Sequence, residues 1–394
     1  MNDILYLDTA RLGQASPSAS LAIKDALRLN EAFGASMYLD ELVEFGHESL
    51  PKNMRQGLPG LSSWHGVEQL KRDIASFVFP TSNAETVIAS RTASLVQLGS
   101  EMLFTRCRNV LVTDLLWPSY KRIVDEAVPN KACRISKVEI KEQILSAKLD
   151  IDGLVDLITD AYVENSCDGI FLPAVCNFGI KLPIEKLVRR ITVKSKIRFS
   201  LVDAAQAVNH VELGGISNLV DFTIAGSHKW ICSYAPLAFG LFAKNSSVSF
   251  IKTSIERLAS SATVVDSLTR FSESSQNQFG ETLSLTGLFA CGGALADAKT
   301  GSLICDSDDP RPKICELVHE SKWDAIQPQT EFRSQILMIR KAKFRKKGIG
   351  ELRRLFIRNQ IAVSDLGDGF CRISIPKTLD KQEYRQLRLA LASI

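Results

Sequence analysis

From about residue 66 onward, two hydrophobic textures alternate along the chain. The stretch "GVEQLKRDIASFVF" places Val67, Leu70, Ile74 and Phe77 on one face at helical spacing. "IDGLVDLITDAYVEN" does the same with Leu154, Leu157, Ile158 and Ala161. "RTASLVQLGSEMLF" and "PIEKLVRRITVKS" predict two more helices, with Pro183 at a favourable first-turn position in the second. Between these lie short apolar runs without helical period: "NVLVTDLLW", "GIFLPAV", "IRFSLVDAAQ" and "DFTIAGSHK". Their length and β-branched content predict buried strands. Strands alternating with helices at this spacing predict an α/β domain, its mostly parallel sheet covered on both faces. Ligands of such sheets bind outside the carboxyl ends of the strands.

The texture changes after about residue 250. "SSATVVDSLTRFSESSQNQFGETLS" reads as a long polar loop, and "LTGLFACGGALADA" as a small-residue helix able to pack closely. "RSQILMIRKA", "GIGELRRLFIRNQIAVSDLGDGFCRISIPK" and "DKQEYRQLRLALA" then read as strand, helix, strands and helix. The expected organisation is an N-terminal segment over residues 1–20 near the site, a large α/β domain over 21–255, and a smaller C-terminal α+β domain over 256–394.

Composition narrows the class. With 394 residues, 45% hydrophobic and 23% charged, the chain is long enough for a large core and ordinary in balance. A net charge of +4 demands no acidic partner. The basic run "RKAKFRKKGIGELRR", within residues 340–358, lacks interleaved aromatics and reads as a solvated connection and helix face, so neither a nucleic-acid nor a membrane partner is expected. Five scattered histidines suggest no metal site. Nine cysteines without a C-x-x-C pair, several inside apolar runs (Cys133, Cys176, Cys232, Cys291), argue for reduced thiols and a cytoplasmic protein. No targeting segment and no membrane-spanning window is expected either.

The chemistry concentrates at two predicted strand ends. "AGSHKW" delivers Lys229 after one, and "LVDAAQAVNH" delivers Asp203, Gln206 and His210 after another. A lysine kept from water loses charge and gains nucleophilicity. Upstream, "VIASRTASL" predicts a strand-to-helix turn whose free N–H groups suit an anion. Lysine, buried carboxylate and phosphate cradle together match the needs of pyridoxal 5'-phosphate. The lysine binds its aldehyde as a Schiff base, and the carboxylate keeps the pyridine nitrogen protonated so that the ring accepts electrons.

These motifs, with "LDTARLG", "TDLLWPSY", "GIKLPIEKL", "FGETLSLTGL" and "FCRISI" in order along the chain, resemble the class V aminotransferase family of fold-type I pyridoxal-phosphate enzymes. The resemblance is greatest to the branch of isopenicillin-N-epimerase-like and cysteine-desulfurase-like proteins. It implies a large domain with a mostly parallel seven-stranded sheet, a smaller C-terminal domain, an amino-acid substrate and a homodimer with interface sites. It assigns Lys229 the catalytic role, Asp203 the pyridinium nitrogen, and Gln206 the phenolic oxygen. Trp117 is to stack on the ring. Thr92, Ala93, Ser227 and His228 are to hold the phosphate, with Thr282 reaching it from the partner subunit. Arg372 is to grip the substrate carboxylate, with Arg11 and Asn177 as further substrate contacts.

Plainer readings stand beside these. Asp203 also suits a helix N-cap, Trp117 a core position, Thr282 a loop, Arg372 an edge strand, and Arg11 the surface; His210 suits structural support. Departures narrow the reaction. The approach "AVSDLGDGFCRIS" has no loop cysteine before Arg372, and Trp117 stands where desulfurases have a histidine, which weighs against a persulfide route. Ser90-Arg91-Thr92-Ala93 replaces the usual Gly-Thr-Thr run, and the Asn177–Gly179 spacing is one residue short. Transamination is the expected reaction. Carbon–sulfur lyase chemistry and epimerisation are its alternatives, and a non-catalytic binding module is the rival from another class.

Overall fold

The computed structural model describes residues 4–34, 38–129, 132–259, 285–300, 309–344 and 348–394. Thirteen strands are assigned among these residues. They are β1 (Leu5–Tyr6), β2 (Glu85–Ala89), β3 (Asn109–Thr113), β4 (Arg134–Val138), β5 (Gly169–Pro173), β6 (Phe199–Asp203), β7 (Phe222–Gly226), β8 (Ala238–Phe242), β9 (Asp324–Ile326), β10 (Ile336–Arg340), β11 (Ile361–Ala362), β12 (Ser364–Gly367) and β13 (Phe370–Ser374). Seven build the main sheet in the order β2-β8-β7-β6-β5-β3-β4. All neighbours from β7 through β4 pair in parallel, and β8 alone runs against the rest. The reversal follows from chain length. Residues 227–237 are too short a link for a crossover, so the chain returns beside β7 antiparallel.

Alternation within each strand sends side chains to both faces. Val110 and Val112 join one apolar cluster while Leu111 joins the other; Leu201 and Val202 divide the same way. The helix Thr92–Arg106 covers the first face through Leu95, Val96, Met102 and Leu103. The helices Ile151–Glu164 and Ile184–Lys194 cover the other, and Pro183 forms the N-cap of the latter rather than its first turn. Burial on both faces explains why the strands read as continuous apolar runs.

A third cluster gathers Trp323, Leu337, Phe356, Ile373 and Leu391 around the antiparallel sheet β12-β13-β10-β9. The N-terminus belongs to it: β1 pairs with β11, and Leu5 and Leu7 enter this core. The helix Thr286–Thr300 lies beyond residue 255, yet it packs against Pro17–Phe33 in the core of the large sheet through Leu288, Phe289 and Leu295. Among the described residues no helix is long and apolar enough to cross a membrane.

Candidate active site

Asp203 ends β6 and Lys229 follows the end of its parallel neighbour β7 by three residues. Parallel pairing of adjacent strands therefore brings both groups to one edge of the sheet. Asp203 is 7% exposed, and its Oδ1 accepts a hydrogen bond from the Ala205 N–H at 2.9 Å. Burial raises its pKa, against the Ala205 bond and the nearby Lys229 charge. Lys229 is half-buried, and desolvation pushes its amine down to about 8, opposed by Asp203 and assisted by the cation of Arg372. A good share of such an amine is neutral near pH 8, which is what nucleophilic attack on an aldehyde requires.

The turn after β2 supplies an anion cradle. Helix Thr92–Arg106 starts at N-cap Arg91 without a side-chain cap; the Ser94 N–H donates to the Arg91 carbonyl, which leaves those of Thr92 and Ala93 for an anion. Ala93 is exposed at that turn and Thr92 is buried. Gly226 brings the opposite wall close: a Cβ there would lie 3.1 Å from the His228 ring and 3.2 Å from Thr92 Oγ1. His228 Nδ1 is buried without a hydrogen-bond partner, and burial holds the ring down to about 4, so it is neutral with an N–H to offer. Ser227 departs from expectation. Its hydroxyl bonds Ser233 Oγ at 2.8 Å and the Leu237 carbonyl at 3.3 Å, which ties down the lysine loop instead.

Arg372 reaches the same site from β13. It is 5% exposed, lies close enough to Lys229 to lower its pKa, and keeps Nε unpartnered. Its Nη2 donates to Ser364 Oγ at 3.1 Å, and Ser364 in turn bonds the buried Asp8 carboxylate. Arg11 is exposed but stands within electrostatic range of both Asp8 and Arg372. The N-terminal segment also crosses the lysine loop: Gly13 N–H donates to the His228 carbonyl at 2.7 Å. Only glycine fits there, since a Cβ would lie 2.0 Å from the Lys229 carbonyl oxygen.

The remaining candidates fall differently. Gln206 is engaged at both ends, donating to the Ala10 carbonyl at 2.8 Å and accepting from Trp230 Nε1 at 2.9 Å. One amide hydrogen is left for a ligand. Trp117 is 41% exposed at the N-cap of the helix Pro118–Glu126. One turn later Tyr120 stands near Thr92 and Asp203, and burial raises its phenol pKa strongly. Asn177 sits half-buried in the turn after β5. His210 packs its ring on Trp230 with centroids 4.2 Å apart. Thr282 lies outside the described residues.

Tyr120, Asp8 and Ser364 are the site residues that sequence reasoning did not single out. Tyr120 closes "TDLLWPSY", three residues after Trp117, so helical spacing alone places the two in adjacent turns; nothing local marks Asp8 or Ser364.

Comparison with known proteins agrees with this architecture. A family model, aminotransferase class I and II, matches residues 31–205, less than half of the chain, whereas the motifs resemble the class V family. No curated protein sequence matches. Alanine–glyoxylate aminotransferase from Nostoc sp. superposes with a TM-score of 0.65 at 13% identity, covering 100% of this chain and 95% of that one. A cystine C–S lyase, solved with cysteine persulfide, gives 0.68 at 14% identity and covers 100% and 98%. Cysteine desulfurase from Thermococcus onnurineus NA1 gives 0.68 at 13% identity and covers 99% and 94%. These likenesses, with the seven-stranded sheet and the site at its carboxyl edge, identify the fold as that of the fold-type I pyridoxal-phosphate-dependent transferases.

Proposed function

We propose that the chain is a pyridoxal-phosphate-dependent enzyme of class V type, acting at Cα or Cβ of an amino acid, with transamination as its reaction. The observation that carries this reading is that Asp203 and a desolvated Lys229 lie within electrostatic range of each other at adjacent strand ends. The residues fit the cofactor. The open helix N-terminus at Thr92 and Ala93, faced by the unpartnered His228 nitrogen, suits its phosphate. Asp203 suits the ring nitrogen, and Gln206 has one donor to spare for the phenolic oxygen. When bound, the cofactor supplies the electron sink that makes a Cα proton acidic.

The chain's own groups do the rest. Lys229, once its amine is free, accepts and returns that proton as general base and acid. Arg372, held through Ser364 and Asp8, fixes the substrate carboxylate with a fork of N–H groups. Trp117 and Tyr120 would flank the cofactor, and Arg11 and Asn177 would complete the substrate pocket. Cys371 is fully buried, and burial pushes its thiol up strongly, which disfavours it as a persulfide carrier. The working form is proposed to be a cytoplasmic homodimer in which Thr282 meets the partner's phosphate.

The test is a visible spectrum of wild type and Lys229→Ala with added pyridoxal phosphate, before and after a panel of amino acids. A band that one amino acid alters, and that borohydride fixes only when Lys229 is present, supports the enzyme. Keto acid, pyruvate with sulfide, or inverted amino acid as product distinguishes transaminase, lyase and epimerase. Absence of any band in wild type sinks the enzyme reading and leaves a non-catalytic binding module.

A further inference from the structure

A second cavity of about 810 Å3 opens between the exit of β5 and residues 309–335, and His210, whose ring packs on Trp230, is among its lining residues. Among the described residues, four buried side-chain atoms of residues that line it have no hydrogen-bond partner: both nitrogens of His210, Nη1 of Arg311 and Oε1 of Gln335. The Val208 carbonyl approaches the His210 ring, yet neither nitrogen reaches hydrogen-bonding geometry with it. His210 is 8% exposed and Arg311 4%. Such groups are normally satisfied, because a buried orphan costs about 1–3 kcal/mol.

The wall is also cationic. Arg311 spends Nη2 on the Ser334 carbonyl, and its nearest acid, Asp309, stands 3.9 Å from Nε. Among the described residues, Lys181 adds an ammonium with no ion pair, and Arg333 a guanidinium that bonds only the Pro328 carbonyl. Burial, with Lys181 and Arg311 adding to it, drives His210 down to about 3. The four acids of the cavity, Glu185, Glu212, Asp309 and Glu331, are all exposed at its rim, and Glu185 is paired with Arg189.

We propose that this cavity is a second binding site, separate from the lysine site, for a small anion bearing a carboxylate or phosphate group. The anion accepts hydrogen bonds from Arg311 Nη1 and the His210 ring while Lys181 neutralises its charge, as charge-assisted bonds in a partly buried pocket favour. Gln335 Oε1 suits a hydroxyl or amine elsewhere on the same ligand.

Calorimetric titration of the full chain, with inorganic phosphate in one series and succinate in another, tests this. Wild type, Lys181→Met, His210→Phe and Thr92→Val are compared. Binding of either anion should weaken about ten-fold in Lys181→Met and in His210→Phe, the loss expected of one charge-assisted bond. It should persist in Thr92→Val, which alters the separate cradle at the lysine site. A response to phosphate alone names a phosphate ligand, and a response to succinate alone a carboxylate. No binding of either anion, or binding lost only in Thr92→Val, overturns the proposal. Lys181 is half-buried and unpaired, so its variant folds even where a change at His210 disturbs the Trp230 stack.

Discussion

At the scale of single residues, the site is a balance between Asp203 and Lys229. Desolvation drives Lys229 toward the neutral amine, while the Asp203 charge holds it back. Removing that charge must therefore lower the lysine's pKa further. Reductive methylation of the cofactor-free protein by formaldehyde, read at Lys229 by peptide mass spectrometry, should show a midpoint near pH 8 in wild type and a lower one in Asp203→Asn. An unchanged midpoint would mean that the two groups do not interact. With cofactor and amino acid present, Asp203→Asn should reduce turnover by about 10²-fold or more, the scale of losing one preorganised electrostatic group. Lys229 and Asp203 were legible in the chain because each ends an apolar run. Asp8 and Ser364 were not, since their contact spans 356 positions.

At the scale of elements, the lysine loop is clamped rather than free. Ser227, Ser233 and Leu237 hold its far side, and the N-terminal segment crosses the near side through Gly13. A methyl at position 13 meets backbone, which has no rotamer through which to yield. Gly13→Ala should cost about 1–3 kcal/mol by overpacking and weaken cofactor retention together with it. Gly57→Ala, an exposed position with no atom within 4 Å of the new Cβ, should be near neutral. Urea unfolding and cofactor release, measured on both variants, check the pair; equal stability would remove the clamp. Helix and strand periodicity predicted the elements either side of this loop, but not that an N-terminal glycine lies upon it.

At the scale of the whole molecule, two desolvated histidines, one buried and one half-buried, tie stability to pH. His210 and His228 are held down to about 3 and about 4, below the ordinary 6.5, mainly by burial. Between those values and 6.5 the unfolded chain binds the extra protons. The stability they contribute is therefore complete above pH 6.5 and is lost as pH falls, by about 1.4 kcal/mol per pH unit for each. Asp203 and Asp8, with raised pKa values, act in the opposite sense above the ordinary carboxylate range. Urea midpoints of the cofactor-free protein from about pH 7 to about pH 5, in buffer without phosphate, should fall, and His210→Phe should flatten the slope. The same slope in both proteins would remove His210 as a cause.

The amino-acid order by itself determined the alternation of strand and helix, the doubly covered sheet and the strand ends that carry Asp203 and Lys229. These follow from local periodicity, which burial imposes on each segment separately. Only the tertiary structure decided that β8 runs antiparallel, that Thr286–Thr300 packs in the large core, and that Arg372 arrives braced by Asp8 through Ser364. It also decided that Ser227 turns inward and that His210 faces a second, cationic cavity. Those outcomes depend on which distant segments meet, and spacing along a chain does not encode such meetings.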